Sequence, residues 1–117
     1  MSDDDILKRL MAKVGSRVSF KYPGGEGEKR GILKDRVAVK SNEGARRGVR
    51  FWNVIDLLEF PDATQPWIRF GYYRQDGSRL VWARSSLADG EEDVRRLFVA
   101  GIQQAEWFRQ LVTGLDR

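Results

Sequence analysis

The chain contains neither cysteine nor histidine among its 117 residues. Without cysteine it can form no disulfide, no thiol nucleophile and no thiolate zinc site. Without histidine it lacks the usual general base near neutral pH, and with it the common Ser-His and Cys-His arrangements. An enzyme built from this sequence would have to use carboxylates, lysine, tyrosine or arginine, or a metal ion held by oxygen atoms.

Long apolar runs are also missing, because no segment approaches the length that crosses a bilayer. The first residues, Met1-Ser2-Asp3-Asp4-Asp5, are acidic where a secretory signal peptide is basic. Hydrophobic residues make up 41% and charged residues 32%, which is typical of a folded globular domain. We therefore expect one cytoplasmic domain over residues 1–117, with no membrane contact.

The first half of the chain predicts one helix and then short strands. Ser2 and the three aspartates after it favour a helix start, and apolar spacing continues the helix over 3–14. Alternating or β-branched residues predict strands at 17–22, 30–33 and 37–40, with a tight turn at 34–36. The stretch from 49 to 60 is apolar almost throughout, so it fits both the spacing of a helix and the spacing of a strand. A short helical turn near 52–55 followed by a strand satisfies both patterns.

A β-hairpin is the clearest element, since Trp67–Gln75 and Ser78–Ser86 flank the turn pair Asp76-Gly77. A two-residue turn there sets Tyr73 opposite Leu80 and Arg69 opposite Arg84, whereas a bulged turn would shift the pairing. One face of the hairpin then carries Ile68, Phe70, Tyr72, Val81 and Ala83, and the other carries Trp67, Arg69, Tyr73, Leu80, Trp82 and Arg84.

The C-terminal part is helical in pattern. Asp89 and Glu92 have the spacing of a capping box, and an apolar stripe continues over 90–113, as one helix or as two with a break near 101–105. Together with the β-rich part at 17–86, these elements predict an α+β fold. We expect a small antiparallel β-barrel or strongly twisted sheet of SH3-like type, with an N-terminal helix and a C-terminal helix or helices.

Positive charge is concentrated in the β part. Residues 17–50 contain ten lysines and arginines against four acids, and residues 67–86 contain four arginines against one acid. Arginine pairs with phosphate and aromatic rings stack on bases, so a basic aromatic sheet surface favours nucleic acid as a partner. The alternatives are a solubilising surface, a charged edge strand, or aromatic residues packed beneath the C-terminal helix. The candidate residues are Arg30, Lys34, Arg36, Arg46, Arg47, Arg50, Trp67, Arg69, Tyr73, Trp82 and Arg84.

Four carboxylates, Asp35, Asp56, Glu59 and Asp62, could be considered for magnesium chemistry. Asp56 is the most unusual, because it interrupts an apolar run and a buried carboxylate needs a partner. An arginine salt bridge or a capping role supplies that partner more simply than a metal ion does. The sequence therefore predicts no metal site, no cofactor and no catalytic residue.

Four stretches resemble a family of small uncharacterised prokaryotic proteins. They are Leu33-Lys34-Asp35-Arg36-Val37, the segment from Trp52 to Phe60, Gly71-Tyr72-Tyr73-Arg74, and Trp107-Phe108-Arg109. The resemblance implies that these stretches belong to one fold, and it implies no activity.

The leading hypothesis is a non-catalytic binding module that contacts nucleic acid through the basic, aromatic β surface. A protein-protein adaptor or oligomeric subunit is the alternative, because four tryptophans and an aromatic terminal helix suit a docking protein. A magnesium-dependent carboxylate enzyme has the least support.

Overall fold

The computed structural model describes residues 2–21, 27–41, 49–84 and 90–115, with the backbone alone at 20, 21 and 84. The strands pair in chain order as one antiparallel sheet that curls into a half-barrel. The predicted α+β class is confirmed, with one helix before the sheet and two after it. In chain order the elements are α1 (Asp3–Met11), β1 (Arg17–Lys21), β2 (Glu28–Lys40), β3 (Val49–Glu59), β4 (Trp67–Asp76), β5 (Arg79–Arg84), α2 (Glu91–Gln104) and α3 (Glu106–Gly114).

Helix α1 begins where the sequence predicts. The Ser2 hydroxyl accepts the backbone N–H of Asp5 at 3.2 Å, and the Asp5 carboxylate accepts the backbone N–H of Ser2 at 3.2 Å, which forms a capping box. The helix ends three residues earlier than predicted, and the chain turns at Gly15, whose φ of 93° favours glycine. Ile6 and Leu10 are fully buried, so α1 lies directly on the sheet.

Strand β2 corrects the predicted turn at 34–36. The strand runs unbroken over its 13 residues, and a bulge between Leu33 and Asp35 shifts its pairing with β3. A bulge adds one residue to one strand and bends that strand. The sequence of this bulge therefore resembles the sequence of a tight turn. As a consequence, Leu33 and Arg36 lie on the same face of the sheet although they are three residues apart.

Strand β3 is extended throughout, so the predicted helical turn near 52–55 is wrong. Val54 and Ile55 both have 0% exposure, and neighbouring residues of a strand point to opposite faces. Val54 packs in a cluster with Leu10 of α1, and Ile55 packs in a second cluster with Leu97 of α2. A central strand covered on both faces is apolar on both. We call these two sides of the sheet the α1 face and the α2–α3 face.

The β4–β5 hairpin forms, but its two-residue turn is at 77–78 rather than 76–77. Gly77 has φ of 57°, a left-handed conformation that glycine adopts without the steric cost of a side chain. The pairing therefore shifts by two residues, and Tyr73 lies opposite Trp82. Because side chains alternate with a period of two, this shift leaves both residues on one face, as predicted.

The C-terminal helical region breaks at Ala105, inside the predicted interval. The break lets Phe108 of α3 fold back onto α2, where a Cβ atom added to Gly101 would lie 2.5 Å from the phenyl ring. The predicted cap Asp89 lies outside the described residues, and Gly90 occupies the N-cap position of α2.

Candidate functional site

The predicted aromatic surface of the hairpin lies beneath α1 instead of facing solvent. Tyr73 is only 7% exposed and packs in one cluster with Leu10, while Trp82 is half-buried against the same cluster. The two rings meet edge to face, with their centroids 5.0 Å apart. We predicted either an open stacking surface or packing beneath the C-terminal helix. These two residues are packed, but the helix that covers them is α1, because α2 and α3 lie on the other face of the sheet.

A buried ion cluster continues this face of the sheet. Asp56 has 0% exposure, and its Oδ1 atom accepts from Arg36 Nε at 2.7 Å. Its Oδ2 atom accepts from Arg36 Nη2 at 3.0 Å and from Arg69 Nη2 at 2.9 Å. The arginine partner predicted for Asp56 is therefore present twice, because the register aligns Arg36, Asp56 and Arg69 across three adjacent strands.

The remaining donors of Arg36 are also occupied. Nη1 donates to the carbonyl oxygen of Leu10 in α1 at 3.1 Å, and Nη2 donates to the Tyr73 hydroxyl at 3.1 Å. Burial by itself lowers the pKa of Arg36, but the hydrogen bonds and charge of Asp56, with a smaller effect of Tyr73, outweigh it and raise that pKa above its usual value. Arg36 is thus a permanently charged structural group at 3% exposure.

Arg69 and Trp67 are likewise engaged within the protein. The Arg69 guanidinium lies 4.4 Å from the ring centroid of Trp82, and its side chain is 14% exposed. Trp67 is half-buried and meets Phe60 edge to face at 5.3 Å, with Lys29 Nζ 4.5 Å from its ring. These cation–π contacts hold both arginine-tryptophan and lysine-tryptophan pairs against the sheet.

The described candidate cations of the basic segment each have a partner within the protein. Arg30 pairs with Glu28 at 3.2 Å, Lys34 pairs with Glu59 at 3.1 Å, and Arg50 donates to a backbone carbonyl. The structure corrects two members of the predicted surface, because Arg36 and Tyr73 are buried and cannot contact a partner. Arg46, Arg47 and the side chain of Arg84 lie outside the described residues. The backbone of Arg84 pairs with Tyr72, whereas we predicted Arg69 as its partner.

The four considered carboxylates each have a donor or a cation beside them. Asp56 binds the two arginines, Glu59 pairs with Lys34, and Asp62 lies 3.8 Å from Lys29 Nζ. Asp35 accepts the indole N–H of Trp107 at 2.7 Å, which ties α3 to the bulge of β2. Within the ranges that the structure describes, no group of three or more acidic side chains is placed to hold a metal ion.

Two exposed features were missed by the sequence analysis, and both involve α2. Phe98, Ile102 and Leu111 are exposed on the two C-terminal helices, and a surface cleft lined mainly by α2 lies at the end of the sheet where Lys40 pairs with Trp52. The sequence does contain one indication of an exposed apolar surface on α2. Val99 and Ile102 are apolar but fall outside the predicted apolar stripe of that helix. An apolar residue off the buried stripe of an amphipathic helix marks a second apolar surface.

None of the helices in the described part of the chain combines the length and apolar character needed to span a membrane. Comparison of the chain with protein-family models, curated proteins and solved structures finds no match. The resemblance to the prokaryotic family and the SH3-like topology therefore stay predictions, as does the cytoplasmic location.

Proposed function

We propose that this chain is a non-catalytic binding module that associates with a second copy of itself through the outer surface of α2 and α3. The observation that carries the proposal is a set of exposed apolar side chains on these helices. Soluble monomers seldom leave such groups together in water, and a partner surface removes them from it. This helical apolar patch comprises Phe98 (38% exposed), Ile102 (36%), Leu111 (42%) and Leu115 (76%).

The two helices are packed as one unit, so the patch is a surface and not a scatter of side chains. The rings of Phe98 and Phe108 meet at 5.4 Å, and Arg109 Nε donates to the Ile102 carbonyl oxygen at 3.0 Å. Phe98 also stacks on Phe70 of β4, with the centroids 5.8 Å apart. The patch is therefore backed by the α2–α3 face of the sheet, and its shape is fixed before any partner binds.

The charges around the patch favour a second copy over a strongly charged partner. In a two-fold symmetric dimer each patch faces itself, so a net charge at its rim would repel its own copy. Residues 90–115 contain four acids and three arginines, and the pairs Arg95–Glu91 and Arg109–Glu106 are closed within single helices. The two helices together are therefore close to neutral, which suits self-association.

The test compares oligomeric states by sedimentation equilibrium at increasing protein concentration. We expect a dimer for the wild type, and a dissociation constant raised by about tenfold or more in the double variant Ile102→Gln/Leu111→Gln, as truncation of central interface residues commonly does. Ile32→Gln is the matched control, because Ile32 is 46% exposed on β2 and is not among the residues that pack with the two helices. A wild type that stays monomeric, or a control with an equal effect, contradicts the proposal.

Nucleic-acid binding is a second candidate function, at a surface other than the predicted one. Lys8, Lys13, Arg17 and Arg79 are exposed and form no ion pair within the residues that the structure describes. Cations of this kind contact phosphates without sequence preference, and the resulting affinity falls steeply with salt. Fluorescence anisotropy with mixed oligonucleotides at low salt tests it. We expect weaker binding in Lys8→Gln/Lys13→Gln, and undetectable affinity of the wild type removes the candidate.

A further inference from the structure

The two edge strands of the sheet contain no acidic residue, unlike the three strands between them. The strand order places β1 and β5 at the edges, and no further strand pairs with either of them in the described part of the chain. Strands β1 and β5 together contain four lysines and arginines and no acid, whereas β2, β3 and β4 each contain at least one acid. An edge strand offers unpaired backbone groups to another chain, and its charge selects which chains can pair with it.

The hydrogen-bonding pattern of the sheet shows which backbone groups of β5 are unpaired. The backbone groups of successive residues point alternately to the two neighbouring strands. The Phe51 carbonyl oxygen accepts the N–H of Ser41 at 2.9 Å on the side of β2, so Trp52 bonds to its register partner Tyr73 in β4. The backbone groups of Tyr73 are therefore directed away from β5. Those of Trp82, which lies opposite Tyr73, point outward from the free edge.

Leu80 has the same orientation as Trp82, so each of them offers one N–H and one carbonyl oxygen at the free edge. Their side chains pack on the α1 face, and the alternate residues Arg79 and Val81 point to the opposite face. Arg79 is exposed, and Val81 is 39% exposed. One added strand would bond to the edge and would also cover the exposed side of Val81.

The cations at one end of β5 favour an acidic partner. Arg79 forms no ion pair within the residues that the structure describes. Arg9 of α1 donates to the carbonyl oxygen of Ser78, which brings a second guanidinium to the same end of the strand. We propose that β5 binds an extended acidic segment of another protein as an additional antiparallel strand, with a carboxylate beside Arg79 and an apolar side chain beside Val81.

A second copy of this chain is a poor occupant of the β5 edge. Strands β1 and β5 each begin and end with a cation, so antiparallel pairing of β5 with either strand of another copy brings cations beside cations. Like charges on opposite strands are destabilising, whereas an acidic segment replaces this repulsion by attraction. The helical apolar patch lies on α2 and α3, so this proposal does not depend on self-association through that patch.

The probe is the acetylated and amidated peptide Thr-Val-Thr-Val-Thr-Glu-Glu, titrated into the full chain by calorimetry. Antiparallel pairing places its second valine beside Val81 and its first glutamate beside Arg79. One control peptide has lysine in place of both glutamates. The other is N-methylated at the two threonines that lie opposite Leu80 and Trp82, which removes the strand-forming donors without changing the charge. We expect the probe to bind and each control to bind about tenfold more weakly or worse.

Hydrogen exchange of the backbone amides, followed by NMR, locates the bound peptide. The N–H groups of Leu80 and Trp82 face solvent in the free protein, whereas that of Val81 already bonds to β4. With the peptide at ten times its dissociation constant, we expect exchange at Leu80 and Trp82 to slow by about tenfold, because only the unbound fraction exchanges. The Val81 amide should change less.

One variant and one matched control test the charge. Arg79→Gln should weaken binding of the probe by about twofold to fivefold, as loss of an opposite-charge pair between strands does. Arg17→Gln removes the same charge from the other edge strand, where Arg17 is also exposed and forms no ion pair within the described residues. We expect Arg17→Gln to leave the affinity unchanged.

Four results would overturn the proposal. The first is the absence of both heat and amide protection with the probe. The second is equal affinity for the N-methylated peptide, which would show attraction by charge without strand pairing. The third is an equal effect of Arg17→Gln and Arg79→Gln, which would show that the β5 edge is not the site. The fourth is displacement of the peptide by a mixed oligonucleotide that binds more tightly, which would assign the edge cations to nucleic acid.

Discussion

Replacement of Asp56 by asparagine tests whether the buried ion cluster holds the two halves of the sheet together. Asp56 accepts hydrogen bonds from Arg36 at 2.7 and 3.0 Å and from Arg69 at 2.9 and 3.3 Å, and it has 0% exposure. Asparagine keeps the shape but removes the negative charge, and it turns one acceptor oxygen into a donor that faces guanidinium donors. Removing one partner of a buried ion pair costs about 3–5 kcal/mol, and we expect a loss of unfolding free energy in that range.

The assay is urea unfolding followed by tryptophan fluorescence. A lower midpoint with an unchanged dependence on denaturant shows a change in stability alone. The matched control is Asp76→Asn, which breaks the ion pair with Arg74. The Arg74 and Asp76 side chains are 54% and 40% exposed, so this change should lower the free energy of unfolding by about 1 kcal/mol or less. If Asp56→Asn costs no more than Asp76→Asn, the cluster does not have the structural role inferred from its burial.

A second comparison separates the net stability that the Arg36–Asp56 ion pair contributes from the cost of leaving one buried charge without its partner. Replacing both partners by apolar residues of similar volume, as in Arg36→Met/Asp56→Leu, removes the two most deeply buried charges and leaves the 14% exposed Arg69 without its carboxylate. We expect this double variant to be more stable than Asp56→Asn, because desolvated ion pairs contribute little net stability compared with apolar packing. A double variant less stable than Asp56→Asn would mean that the pair itself is strongly stabilising.

Three further predictions concern stability. Gly101→Ala should cost about 1–3 kcal/mol because its Cβ would clash at 2.5 Å, whereas Gly114→Ala, with nothing within 4 Å, should stabilise α3 by about 0.5–1 kcal/mol; thermal unfolding of both variants distinguishes them. Trp107→Phe should cost about 1–3 kcal/mol, since it leaves the half-buried Asp35 carboxylate without its 2.7 Å indole donor, and urea unfolding measures the loss. Because the pKa of Arg36 is raised in the folded state, its contribution to the free energy of unfolding is complete below the unfolded-state pKa. That contribution is lost only as pH rises through the folded-state pKa. The stability difference between wild type and Arg36→Met should therefore be flat over about pH 6 to 9, far below the usual arginine pKa, and a slope measured by urea unfolding would contradict this account.

Local signals predicted most of the elements and several of their ends. The helix cap at Ser2 and the hairpin follow from side-chain chemistry within a few residues, and the break before α3 was one of two patterns that the sequence left open. The turn of the hairpin was placed one residue early, because both Asp76-Gly77 and Gly77-Ser78 are acceptable turn pairs and only the pairing of whole strands selects one. Predictions failed where one local pattern fits two structures, as in the bulge of β2 and the centre of β3.

The candidate site was predictable only in part. The need of Asp56 for a partner follows from a carboxylate inside an apolar run, and the sequence supports that inference directly. The identity of the partners, Arg36 and Arg69, depends on cross-strand register, and the bulge before Arg36 changes that register by one residue. The cleft and the helical apolar patch could not be predicted, because the exposure of a residue on α2 depends on where the sheet beneath it ends.

The sequence by itself determined the α+β class, the N-terminal helix, the β-hairpin and the helical C-terminal part, and the absence of cysteine and histidine chemistry. These properties depend on residue types and on periodicity, which act over a few residues. Only the tertiary structure decided that α1 covers the arginine-aromatic side of the hairpin while α2 and α3 cover the other side. That choice depends on contacts between residues far apart in the chain, such as Leu10 with Arg36, whose energies no local pattern contains.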